Sequence, residues 1–183
     1  MQAIELLGET QKSFEAQLSP EKQENIRAIT AHEGAHAFVS LKLGIPLMKI
    51  EMSIENDKQA GRIVWNDLKG ITTEMRGISY AAGLAGELVV LGEDYVRNNG
   101  FKGVRTDSKR LNQLGYISQE DKARLLTEAL DVLISNKDDF EKFRATLERE
   151  LIKASRKGTD RILLDRDRLT ELGIQKPEKE ALH

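Results

Sequence analysis

The stretch TAHEGAHAFVSLKLG, residues 30–44, places His32 and His36 four positions apart with Glu33 beside the first, inside a run of mostly small or apolar residues. Residues at i and i+4 share one face of an α-helix, so the two imidazoles can reach a common point while the glutamate sits one step round. This HExxH spacing lets two ring nitrogens bind one metal ion and lets a carboxylate reach a water bound to that ion. The plainer reading is a helix whose histidines are solvated or satisfied by ordinary hydrogen bonds. Three features favour the metal. Flanking residues such as Ile26, Ile29, Ala31, Ala37, Phe38 and Val39 mark a largely buried helix, where unpaired imidazoles cost stability. Gly34 and Ala35 leave room between the histidines for an ion and a substrate. Histidine is scarce, and two of the chain's three fall in this one turn.

Working outward, Ser19 and Pro20 supply a capping hydroxyl and a proline at the first helical position, and Gly44 with Pro46 beyond it supplies the stop. The helix between them spans about 24 residues, or roughly 36 Å. LMKIEMSIE (47–55) then alternates Met48, Ile50, Met52 and Ile54 with polar residues, the period of a half-buried strand, and NDKQAG turns the chain into RIVW (62–65). One edge of this ribbon can stay open. Residues 72–91 are helical in period despite Gly77, Gly83 and Gly86, each costing about 1 kcal/mol against alanine, so a second helix is expected to pass close by. Residues 92–105 read as a loop, 106–115 as a short helix, 118–135 and 138–156 as longer helices, and 164–173 as a closing short helix. The last ten residues, with His183, read as a loose tail. The expected fold is mainly α, of the α+β kind: a helical bundle carrying the HExxH helix, with a short two-stranded β element. One domain is expected over 1–183, its core at about 20–173.

Composition narrows the function classes. Lysine plus arginine (28) nearly balance aspartate plus glutamate (30), and no block of like charge forms a nucleic-acid arm. The most apolar windows fall short of the roughly 20 residues a bilayer span needs, and the N-terminus lacks the pattern of a signal peptide, so no membrane span and a cytoplasmic location are expected. Cysteine is absent, so a transition-metal site must use histidine and carboxylate. A catalytic zinc needs a third protein ligand and one open position. Two carboxylates stand out: Glu87, an acid inside the apolar run AAGLAGELVVLG, and Asp107, at the start of a helix after a glycine-rich loop. Spacing does not choose between them.

AHEGAHAFV, GLAGELVVLG and GVRTDSKRL, in that order, resemble the peptidase domain of the FtsH-type ATP-dependent zinc proteases, and the likeness extends over most of residues 20–173. The resemblance implies one Zn2+ held by His32, His36 and Asp107, Glu33 as general base, and Glu87 as an outer carboxylate that orients a liganding histidine. The alternative for Asp107 is a helix cap, and for Glu87 an acid paired with Arg62, Arg76 or Arg105. These 183 residues contain no GxxxxGK[ST] phosphate loop, so a peptidase without its own ATPase is expected.

The function expected is a zinc metallopeptidase acting on flexible or unfolded polypeptide, which can add as a strand to the edge of the 47–65 ribbon. Its expected partners are that substrate and a separate ATPase or unfoldase, or further copies of itself, with no nucleic acid. Two other classes compete: a non-catalytic module that keeps the metal and binds a peptide or protein partner, and a helical interaction protein without metal. Retention of Glu33 argues against the first, because a metal scaffold needs no base.

Overall fold

The computed structural model describes residues 18–55, 58–66, 68–99 and 104–175, and the tail with His183 lies outside them from residue 176 on. The opening stretch belongs to α1, Pro20–Lys42, 23 residues long. Ser19 Oγ accepts from the Lys22 N–H at 3.2 Å, Pro20 takes the first turn, and Gly44 at φ 77° turns the chain away. Every residue from Ala28 to Ser40 is buried, so this half of α1 is enclosed on all sides rather than amphipathic, while its first two turns are mostly exposed.

Around it stand β1 (Leu47–Glu55), β2 (Lys58–Trp65), α2 (Thr73–Leu91), α3 (Glu93–Asn99), α4 (Val104–Gln113), α5 (Gln119–Ser135), α6 (Lys137–Arg156), β3 (Arg161–Asp165) and α7 (Arg166–Glu171). The fold is mainly helical with a small antiparallel sheet in the order β2-β1-β3. Helix α1 packs chiefly on α2 and α6 and also meets β1 and β2, while α2 rests on α4 and α5. Phe38 of α1 lies 5.4 Å from the Phe140 ring and 5.6 Å from Phe143, both on α6, whose buried Phe140, Phe143, Leu147 and Leu151 follow the expected helical spacing. Gly86 of α2 faces the Ala31 carbonyl and the Ala35 methyl of α1, and a β-carbon would not fit there. Gly86 thus brings a second helix against the HExxH helix in direct backbone contact, whereas Gly77 faces Tyr116 and Leu125 instead.

Several local expectations are corrected. The β element has three strands, not two: RILLD pairs with β1 through Ile50↔Leu164 and Met52↔Ile162, and its alternating burial was hidden by brevity and by the capped helix after it. Lys58 to Ala60, read as turn, pair with β1 instead. A register irregularity between Leu47 and Lys49 turns Leu47 into the core and leaves Met48 48% exposed, so Met48 is not on the buried face. Residues 93–99, read as loop, form α3, which rests on a single buried residue, Val96. The ordered chain also reaches past 173: Ile174 packs on the core, and the Gln175 side chain accepts from the Leu47 N–H at 3.3 Å and donates to its carbonyl at 3.2 Å. Among the described residues no helix is long and apolar enough to cross a membrane.

Candidate metal centre

Helix α1 presents His32 and His36 toward α2, and the start of α4 brings Asp107 to the same point from 71 residues away. The His32 and His36 Nε2 atoms lie 3.1 Å apart, and Asp107 Oδ2 lies 3.2 Å from the first and 3.1 Å from the second. All three side chains are buried. A tetrahedral ion bound at about 2.0–2.1 Å sets its ligands about 3.3–3.4 Å apart, so the near-equilateral triangle has the size of one face of such a site.

The outer hydrogen bonds determine what those three atoms carry. His36 Nδ1 lies 2.6 Å from the Ser79 carbonyl, which can only accept, so that nitrogen bears the proton and Nε2 of the neutral ring bears a lone pair. His32 Nδ1 lies 2.6 Å from Glu87 Oε1, which favours the same tautomer. In that tautomer two lone pairs and a carboxylate oxygen converge on one point. They require a cation or a proton.

The protonation preferences express the same field. Burial lowers the His32 pKa, yet hydrogen bonds to Asp107 and Glu87 outweigh it and carry it up to about 10. Burial raises Asp107, and the His36 charge and hydrogen bonds to both imidazoles overcome this and hold it well below the usual carboxylate range. Glu33, buried beside the triangle, is raised above its ordinary value chiefly by burial, against the opposing charges of His36 and His32.

Two glycines make the space. A β-carbon on Gly83 would lie 2.5 Å from His32 Cε1 and 2.5 Å from His36 Nε2, so α2 can pass the imidazoles only without a side chain there. A β-carbon on Gly61 of β2 would collide with the Glu33 carboxylate. Gly34 and Ala35 do not serve that purpose: Gly34 points to Leu147 on α6, and Ala35 meets Gly86. Side chains on a helix follow its periodicity, and these two positions face away from the imidazoles.

The structure brings together His32, His36 and Asp107, sets Glu33 beside them, and pairs Glu87 with His32 rather than with an arginine. What the residues alone did not disclose is the support of His36. Ser40 Oγ donates to the His36 carbonyl at 2.6 Å and lies 2.5 Å from Ser79 Oγ, and the Trp65 indole N–H donates to Ser40 Oγ at 3.1 Å. One hydrogen-bonded group therefore ties the end of β2 to the helix carrying His36. Ser79 acts through its backbone carbonyl, which leaves no trace in side-chain chemistry.

A cleft of ≈ 670 Å³ opens over the triangle. Its walls include β2 from Gln59 to Trp65, Tyr80 of α2, and Arg110 of α4. Strand β2 is an edge strand of the sheet, and its residues from Gln59 to Trp65 border the cleft. No protein-family model, curated protein or solved structure matches the chain.

Proposed function

We propose that this chain is a zinc-dependent metalloendopeptidase that hydrolyses flexible or unfolded polypeptide, with His32, His36 and Asp107 holding one Zn2+. The observation that carries the reading is the convergence of two imidazole nitrogens and one carboxylate oxygen within 3.2 Å of one another, with the Glu33 carboxylate beside them at the cleft. Two imidazoles and one carboxylate suit zinc, and a bound zinc supplies a Lewis acid that acidifies water and polarises a carbonyl. Asp107 is here a ligand in addition to sitting in the first turn of α4, and Glu87 fixes the His32 ring through its Nδ1 hydrogen bond.

Glu33 is the general base. Its buried carboxylate is a stronger proton acceptor than an exposed one. It takes a proton from the attacking water as the water oxygen bonds to the peptide carbonyl carbon. When the C–N bond breaks, Glu33 returns that proton to the leaving amine. The edge of β2 supports the substrate class, because an extended, unfolded segment can pair with it as an added strand and lie along the cleft. A folded domain offers no such free strand, so a separate ATPase or unfoldase, or an assembly of copies, is the partner that would feed this site. A cytoplasmic location belongs to the same proposal.

The test is cleavage of an unfolded polypeptide by wild type and by Glu33→Gln at matched zinc content. Loss of cleavage in the variant, with zinc retained, is expected. Equal cleavage by both proteins would overturn the assignment of Glu33, and no cleavage by zinc-loaded wild type would favour a peptide-binding module.

A further inference from the structure

We propose that Arg110 stabilises the negative charge that develops on the peptide carbonyl oxygen; the assignment rests on the hydrolase reading above. Arg110 lies one helical turn after Asp107 on α4 and lines the cleft. Its guanidinium carbon stands 5.3 Å from the centre of the Tyr80 ring, a cation–π contact that holds the head group without using any N–H donor. The nearest acid is Asp107 Oδ1, 3.7 Å from Nη1, beyond hydrogen-bond range. Asp107 thus turns Oδ2 to the imidazoles and Oδ1 toward the arginine. Among the described residues, none of the five guanidinium N–H donors makes a hydrogen bond, although the group is only 38% exposed.

An arginine that merely neutralised Asp107 would close onto it at about 2.8 Å in a forked pair. This one is propped on an aromatic face with its donors open to the cleft, beside the three ligand atoms. The other cation along the cleft, Arg62, stands opposite Glu51 in the sheet register and contributes to the positive field that lowers the Glu51 pKa, so it is less suited to the role. When the water oxygen bonds to the carbonyl carbon, the carbonyl π pair moves onto oxygen while the proton goes to Glu33. The resulting oxyanion finds preset donors in Arg110, and its electron pair reforms the carbonyl as the C–N bond breaks. Donors fixed before the reaction act on the transition state more than on the bound substrate. Tyr80 is the positioning residue that keeps the guanidinium in place.

The experiment compares wild type, Arg110→Ala and Arg110→Lys for zinc content, kcat, KM and affinity for a phosphinic peptide, whose tetrahedral anion mimics the charged state. Trp65, the single tryptophan and a cleft residue, reports both folding and ligand binding by fluorescence. Arg110→Ala should keep zinc and an unchanged KM, lose about 10²–10³-fold in kcat, and lose phosphinate affinity by a similar factor. Arg110→Lys should recover part of both. An active variant with unchanged kcat overturns this assignment alone, as does a fall in kcat that only tracks zinc loss, which would make Arg110 a support for Asp107. A wild type that binds zinc without cleaving, or never binds it, overturns both this assignment and the hydrolase reading.

Discussion

Replacing Gly83 by alanine adds one methyl group where α2 crosses the two imidazoles. That β-carbon would lie 2.5 Å from His32 Cε1, 2.5 Å from His36 Nε2 and 2.7 Å from His32 Nε2. Non-bonded heavy atoms settle at about 3.5–4.0 Å, so the rings and the methyl must separate by about 1 Å. Neither ring yields easily, because each is anchored at Nδ1 by a 2.6 Å contact, to Glu87 or to the Ser79 carbonyl. Metal–ligand distances tolerate about ±0.2 Å, so the required movement exceeds the tolerance about fivefold. Zinc affinity should fall by at least about 100-fold, which is about 2.7 kcal/mol. The fold should survive, since the rings have the cleft to move into and alanine favours a helix interior by about 1 kcal/mol over glycine. Gly34→Ala on α1 is the control. Its β-carbon would meet Leu147 Cδ1 at 3.4 Å, and it should keep both zinc and stability. Competition against a zinc-sensitive chelator, with circular-dichroism melts of both variants, reads the two effects separately. A folded Gly83→Ala protein with wild-type zinc affinity would refute the placement of the metal between these rings and α2.

Gly61→Ala should push the Glu33 carboxylate from its place without touching a ligand; steady-state kinetics should show kcat reduced by about 10²-fold at full zinc occupancy. Glu87→Gln keeps the shape but weakens the hold on His32, so zinc titration should show about 10- to 100-fold lower affinity, with a larger loss in Asp107→Ala. The reverse order would make Glu87 the ligand. In metal-free protein the folded His32 pKa of about 10 lies above its ordinary 6.5, so its stabilising contribution is full below about 6.5 and disappears as pH rises toward 10. Melts in chelator should therefore fall across that window, whereas the stabilisation by zinc should grow with pH through the neutral range because its ligands must be deprotonated. Parallel pH profiles with and without metal would contradict this.

His32, Glu33 and His36 were legible because one helical turn sets their geometry whatever the rest of the chain does. Glu87 could be singled out as an acid in an apolar run, but its partner could not, since His32 is 55 residues distant and three arginines were equally eligible. Asp107 needed the resemblance, because the closure of α4 onto α1 depends on packing rather than spacing. Gly83 and Gly86 announced a close helix crossing without saying what would cross. The role given to Gly34 failed for a related reason: smallness is visible in a sequence, while the direction a position faces is set by the neighbours that enclose the helix. The third strand escaped notice because RILLD has two buried residues and acquires its pairing only when β1 lies beside it. Arg110, Tyr80 and Trp65 come from three elements, and only the folded chain shows that they share a wall.

Metal analysis of protein purified without chelating resin, by mass spectrometry under native conditions and by zinc titration of the stripped protein, tests the central claim most directly. The account predicts about one zinc per chain, lost together in His32→Ala, His36→Ala and Asp107→Ala and kept in Glu33→Gln. A chain that neither carries zinc nor takes it up on titration would contradict it.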